Sequence, residues 1–98
     1  MRLTPAQIEA IRFSSQTVFG SDADILLFGS RVDDAKRGGD IDLLIKPNIM
    51  KKVTLADKIH FLNQLEKMIG ERKVDVVIEA PNDCRPIVRI ARETGVLL

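Results

Sequence analysis

The sequence has very little of what disulfides, zinc sites and membrane spans are built from. Among its 98 residues there is one cysteine and one histidine, so an internal disulfide is excluded and no paired spacing indicates a zinc site. The longest apolar runs, such as residues 25–28, fall far short of the roughly 20 residues of a membrane-spanning helix. No charged and then apolar leader opens the chain. These absences predict a cytoplasmic protein with no membrane partner.

Two common nucleotide-binding signatures and a strong charge bias are also missing. The chain has neither a Gly-x-x-x-x-Gly-Lys-Ser/Thr loop nor a Gly-x-Gly-x-x-Gly turn, which argues against a P-loop enzyme and a dinucleotide binder. Its formal charge of +1 does not favour a nucleic-acid partner, although a local basic patch can exist within a balanced total. The length predicts one domain over residues 1–98, with an open cleft rather than a deep pocket.

Capping residues and apolar periodicity predict alternating helices and strands. Thr4, Pro5 and Gln7 have the pattern of a capping box at the start of a first helix. Thr54 opens a longer helix that Gly70 can end. In chain order we expect helix 5–19, strand 25–28, a short helix 30–35, strand 40–45, helix 54–69, strand 73–78, helix 85–94 and an edge strand in the tail 96–98.

The predicted strands are expected to form one small sheet. The connection between the first two strands is near the minimum for a parallel crossover, so antiparallel pairing of these strands is equally plausible. The sheet is therefore predicted to be mixed, with its strand order left open. The expected fold class is α/β or α+β, with a single small mixed β-sheet and flanking helices.

The two later helices carry apolar stripes at helical spacing, and the last one also carries a basic stripe. The basic stripe most simply faces solvent, with an acidic partner or RNA as the alternative. His60 and Cys84 have no sequence neighbours that indicate chemistry and are expected to be inert. The apolar stripes are Leu55, Ile59, Leu62, Leu65 and Ile69, then Ile87, Ile90, Ala91 and Thr94, and the basic stripe is Arg85, Arg89 and Arg92.

Three aspartates on two predicted strands are the candidate metal ligands. Because side chains alternate along a strand, Asp40 and Asp42 share a face, roughly 6 to 7 Å apart. Asp75 can join them if its strand is the neighbour. Three carboxylates repel one another unless cations neutralise them, and Mg²⁺ or Mn²⁺ prefers such oxygen ligands. The alternatives are a solvated Asp-x-Asp at a strand entry, and an Asp75 that pairs with Lys73 or lies on an exposed face.

Gly29 and Ser30 follow the first predicted strand and are the candidate phosphate contacts. A glycine permits close approach of a phosphate, and a serine at a helix start offers a hydroxyl and an amide. An ordinary strand-to-helix turn explains the same two residues. Arg31 is the best placed of the loop cations to touch phosphate, ahead of Lys36 and Arg37.

The combination of these motifs resembles the nucleotidyltransferase superfamily of the DNA polymerase β type. Its pattern is an apolar residue with Gly-Ser, then Asp-x-Asp among apolar positions, and a third acid on a later strand. Phe28-Gly29-Ser30, Asp40-Ile41-Asp42 and Val74-Asp75-Val76 match it. The chain is most similar to the minimal nucleotidyltransferases that consist of the core alone, and the resemblance implies the polymerase β-like fold.

The resemblance also implies a mechanism and a setting. Asp40 and Asp42 would bridge two Mg²⁺ ions, Asp75 would bind the catalytic ion and help to activate an acceptor hydroxyl, and Gly29-Ser30 would hold the nucleoside triphosphate. The expected reaction transfers AMP from ATP to a protein hydroxyl.

The likeliest setting by resemblance is an antitoxin paired with a helical HEPN-type toxin. The chain carries no acceptor-binding domain of the kind that larger family members have, so a partner is expected to supply the acceptor. The competing hypothesis is a docking module that neutralises its partner by binding alone.

Overall fold

The computed structural model describes residues 3–29, 40–48 and 50–98 of the chain. Within these ranges three helices and four strands follow one another in the predicted order, with strand boundaries that differ by about one residue. The predicted short helix 30–35 lies outside the described residues. The elements are α1 (Pro5–Phe19), β1 (Asp24–Phe28), β2 (Ile41–Lys46), α2 (Leu55–Ile69), β3 (Val74–Ile78), α3 (Pro86–Thr94) and β4 (Val96–Leu97).

Capping boxes define the starts of both long helices. The Thr4 hydroxyl accepts a hydrogen bond from the Gln7 amide at 3.1 Å, and the Gln7 side chain accepts one from the Thr4 amide at 2.9 Å. Thr54 and Asp57 repeat the arrangement at α2. Each box satisfies two amides that the first helical turn leaves without partners. The predicted boundaries of these two helices are confirmed.

The four strands form one mixed sheet in the order β3-β2-β1-β4. β1 pairs antiparallel with both β2 and β4, whereas β2 and β3 are parallel. The structure therefore confirms the predicted mixed sheet and edge strand, and the first two strands take the antiparallel alternative. The fold is a small α+β arrangement consistent with the polymerase β-like nucleotidyltransferase fold.

The sheet separates a larger and a smaller apolar layer. On one face α1 and α2 cover the sheet, and the rings of Phe19 and Phe61 meet with centroids 5.5 Å apart. On the other face α3 covers Phe28 and Leu44. Because strand residues alternate between the two faces, one strand serves both layers: β2 sends Ile41, Leu43 and Ile45 to the first and Leu44 to the second.

Both predicted apolar stripes are partly wrong. In α2 the buried residues are Phe61 and Leu65, while Leu55 is 72% exposed and Ile59 is half-exposed. In α3 the buried residues are Val88 and Ala91, because only this flank meets Phe28 and Leu44. The side chains of Ile87 and Ile90 remain 44% and 53% exposed.

The basic stripe of α3 is not a simple solvated face. The Arg92 guanidinium binds the Glu79 carboxylate through two nitrogens, one of them Nε at 3.0 Å from Oε1, and the Glu79 side chain is only 3% exposed. Arg85 just before the helix donates to Asp83 and to the Ile78 carbonyl oxygen. Two of the three arginines therefore attach α3 and its preceding loop to the end of β3, and Arg89 is exposed.

Arg92→Met is expected to destabilise the protein by about 3 kcal/mol, because it leaves the buried Glu79 carboxylate unpaired. Arg89→Met makes the same change on the exposed side of the helix and is expected to cost less than ~0.5 kcal/mol. Urea unfolding of both variants and the wild type measures the difference. Equal losses in the two variants would show that the ion pair contributes nothing specific.

The described helices are all too short or too polar to cross a bilayer.

Candidate active site

The register of two parallel strands brings the three predicted acids together. Asp42 of β2 lies directly opposite Asp75 of β3. The alternation of side chains puts both on the face that α3 covers in part, and Asp40 precedes Asp42 by two residues on the same face. The two strands are therefore neighbours, as the prediction of a three-acid set required, and the acids lie at the end of the sheet where β2 and β3 begin.

Lys73 completes this arrangement as a fourth side chain on the same face. The Ile41 amide donates to the Lys73 carbonyl oxygen at 3.0 Å, which extends the strand pairing to the residue before β3. The Lys73 ammonium lies 3.6 Å from Asp40 Oδ2. Asp40 faces Lys73 and Asp42 faces Asp75, so three carboxylates and one ammonium occupy four neighbouring positions.

The acids repel one another in this conformation. Partial burial raises the pKa of Asp42, and the neighbouring carboxylates of Asp75 and Asp40 raise it further, while Lys73 opposes the shift. A side-chain hydrogen bond between Asp42 and Asp75 also favours the protonated form. A carboxylate whose ionisation is disfavoured by its neighbours is one that a cation stabilises.

The same carboxylates do not yet form a complete ligand cage. Over residues 3–29, 40–48 and 50–98, no three His, Cys, Asp or Glu side chains are close enough to share one metal ion. The hard oxygen donors fit Mg²⁺, which takes only a few ligands from protein. The strand register therefore brings suitable oxygen donors to adjacent positions. Their side chains would have to rearrange before three of them could bind one ion.

Gly29 packs its backbone against Asp42. It follows β1 at a φ of +79°, a conformation that side chains other than glycine rarely adopt. A Cβ atom at this position would overlap the Asp42 carboxylate, with Cγ at 3.2 Å. The glycine is thus required twice, once for its backbone angle and once to leave room for the carboxylate. The antiparallel pairing of Phe28 with Asp42 produces this contact.

Several predicted site residues fall outside the described residues or differ from expectation. Ser30 and Arg31, with Lys36 and Arg37, lie in the segment 30–39 that the structure does not describe. Asp75 is exposed, which is the predicted alternative of an exposed sheet face, so its presence on an apolar strand costs little. The alternative in which Lys73 pairs with Asp75 is replaced by an ion pair between Lys73 and Asp40.

Lys73 is a member of the site that the sequence motifs do not include, although its position two residues before Asp75 is a usable signal. Residues i and i+2 of a strand share a face, so any residue at 73 must lie beside the acids. His60 and Cys84 are both exposed.

A cleft of about 870 Å³ lies at the opposite end of β2 and β3 from the three aspartates. Lys46, Lys52 and Glu79 are among its lining residues, and none of the three aspartates contributes to it. The acids instead occupy open sheet surface beside Gly29.

A match to a family model decides the identity of the fold. The model of the nucleotidyltransferase domain matches residues 7–98. The chain belongs to the nucleotidyltransferase domain family. A comparison with curated proteins finds no significant match. Family membership supports nucleotidyl transfer as the activity and a transferase as the class of enzyme. Nucleotidyltransferases usually use a nucleoside triphosphate and a divalent metal ion, which agrees with the oxygen donors at positions 40, 42 and 75.

Proposed function

We propose that the protein is a Mg²⁺-dependent enzyme that transfers AMP from ATP to a hydroxyl group of a protein partner. The observation that carries this proposal is the register of Asp42 with Asp75, beside a glycine that only fits because it lacks a side chain. An ordinary solvated Asp-x-Asp requires neither of these features. The family match adds the reaction class.

The roles of the residues follow from their positions. Asp40 and Asp42 would hold two ions, and Asp75 would hold the ion beside the acceptor and orient the acceptor hydroxyl. When bound, the ions supply Lewis-acid stabilisation of the entering and leaving oxygens. The acceptor oxygen forms a bond to the α-phosphorus while the bond to the β-phosphate breaks, so pyrophosphate leaves and the hydroxyl proton passes to solvent or a carboxylate.

The exposed site favours a partner that supplies the acceptor. Asp75 is exposed and Asp40 is half-exposed, so a macromolecular hydroxyl can reach the carboxylates without any opening of the chain. We propose a small helical protein of the HEPN toxin type as this partner, with the chain as its antitoxin, and we place the reaction in the cytoplasm. The resemblance to minimal nucleotidyltransferases supports this setting.

An assay with labelled ATP tests the proposal. Purified protein, the candidate partner, α-labelled ATP and Mg²⁺ are expected to give a labelled partner protein. Removal of the metal with EDTA should abolish labelling, and excess Mg²⁺ should restore it. Labelling that is unaffected by EDTA would contradict a metal-dependent transfer.

The competing function is neutralisation by docking alone. Exposed apolar side chains such as Ile87 and Ile90 on α3 give a binding surface some support. Equal neutralisation of the partner with and without ATP, and no label on the partner, would favour docking over transfer.

A further inference from the structure

The ion pair between Lys73 and Asp40 places a cation inside the set of carboxylates that the proposed reaction needs. The ammonium lies 3.6 Å from Asp40 Oδ2, and the same ammonium opposes the repulsion that Asp42 experiences from its neighbours. Three carboxylates and one ammonium carry a charge of about −2 instead of −3 when all are ionised. Lys73 therefore already provides part of what a divalent ion would provide.

The position of Lys73 is determined by the backbone and not by chance contact of a long side chain. The hydrogen bond from the Ile41 amide to the Lys73 carbonyl places residue 73 opposite residue 40. Strand alternation then directs its side chain to the face of Asp75. The side chain is 69% exposed, so it can leave Asp40 without disturbing the packed core.

The arrangement of the acids agrees with a competition for Asp40. Asp42 and Asp75 face each other across the two strands, whereas the Asp40 carboxylate contacts Lys73. In the described ranges no three acidic or other ligand side chains are near enough to one another to share an ion. A metal ion that binds the Asp40 carboxylate therefore meets the Lys73 ammonium at the same group.

We infer that Lys73 is a positioning residue that competes with the divalent ion for Asp40 and so weakens metal binding by the protein without nucleotide. This inference rests on the proposed function of the three aspartates. Mg²⁺ usually completes its shell with water and substrate phosphates. The metal is therefore expected to enter together with the nucleoside triphosphate and to be held weakly before it.

Binding of Mn²⁺ alone, measured by electron paramagnetic resonance on the full chain without nucleotide, tests the inference. Lys73→Gln is expected to bind Mn²⁺ about three- to fivefold more tightly than the wild type, because solvent screens an ion pair whose side chains are 69% and 49% exposed. Lys73→Arg keeps the charge and is expected to bind like the wild type. Asp42→Asn added to Lys73→Gln is expected to remove the gain.

Lys46→Gln is the matched control. Lys46 lies on the same strand face as Asp42 but four residues away, about 13 Å along the strand, which exceeds the screening length of ~8 Å at physiological salt. Removing its charge is expected to change Mn²⁺ affinity less than about twofold.

Failure of the inference and failure of the proposed function give different results. Measurable binding by the wild type, with no gain in Lys73→Gln, would overturn the inference and leave the proposed function standing. The absence of Mn²⁺ binding in Lys73→Gln as well as in the wild type would also overturn the inference, whereas the proposed function is contradicted only by the absence of Mg²⁺-dependent label transfer to the partner. A gain of the same size in Lys46→Gln would also overturn the inference, because it would then be a general effect of net charge.

Discussion

Simultaneous replacement of Asp40 and Asp42 by asparagine is expected to abolish nucleotidyl transfer while the protein stays folded. The amide side chains have nearly the same shape but lack the negative charge that holds a divalent ion. A metal at a transferring phosphoryl group supplies several kcal/mol of charge stabilisation, and each ~1.4 kcal/mol changes the rate tenfold. The rate of label transfer should therefore fall at least about a thousandfold.

Stability measurements distinguish loss of chemistry from loss of fold. The pKa of Asp42 is raised in the folded protein from its ordinary value of 3.8, first by burial and then by Asp75 and Asp40. A raised carboxyl pKa means that the folded state holds the proton more tightly. Its contribution to stability is therefore present below pH 3.8 and is lost as the pH rises through the folded pKa.

Asp42→Asn alone removes this penalty. Without metal at pH 7 it is expected to be more stable than the wild type by about 0.5 kcal/mol, a small value because solvent screens a partly exposed group. The difference should vanish near pH 3, where Asp42 is protonated in both states. Urea unfolding at the two pH values measures it. A loss of stability at pH 7 would show that the Asp42 carboxylate makes a favourable contact in the metal-free protein.

The strand positions of the acids were predictable because they depend on a local rule. Alternation along a strand places Asp40 and Asp42 on one face whatever the tertiary structure. The adjacency of Asp75 depended on strand order, which sequence pattern left open. The structure resolves it by making β2 and β3 parallel neighbours, so that Asp42 and Asp75 meet in register.

The predictions that were partly wrong are the buried faces of helices. Apolar residues repeat at helical spacing on two flanks of the same helix, and periodicity alone does not say which flank is buried. In α3 the predicted stripe includes Ala91, which is buried, but its isoleucines are exposed. Val88, outside that stripe, joins Ala91 against Phe28 and Leu44. The burial of Glu79 was equally hidden, because its partner Arg92 is 13 residues away in the chain. Long-range pairing of this kind has no local signature.

Gly29→Ala is expected to cost both stability and activity, and Gly70→Ala separates the two effects. Both glycines have positive φ values, +79° at Gly29 and +84° at Gly70. An alanine at either position is expected to destabilise the protein by about 1 to 3 kcal/mol through backbone strain. The surroundings differ, because a Cβ at Gly70 would meet no atom within 4 Å, whereas one at Gly29 would overlap the Asp42 carboxylate.

The activities of the two variants should therefore diverge far more than their stabilities. In Gly29→Ala the Asp42 carboxylate must move, and a displacement of about 1 Å at a reacting centre costs roughly a hundredfold in rate. Gly70→Ala should retain transfer within about twofold at temperatures where it is folded. Label transfer at saturating Mg²⁺ and urea unfolding of both variants provide the comparison. Equal activity in the two variants would show that Gly29 serves the backbone turn alone, and that the position of Asp42 tolerates a side chain beside it.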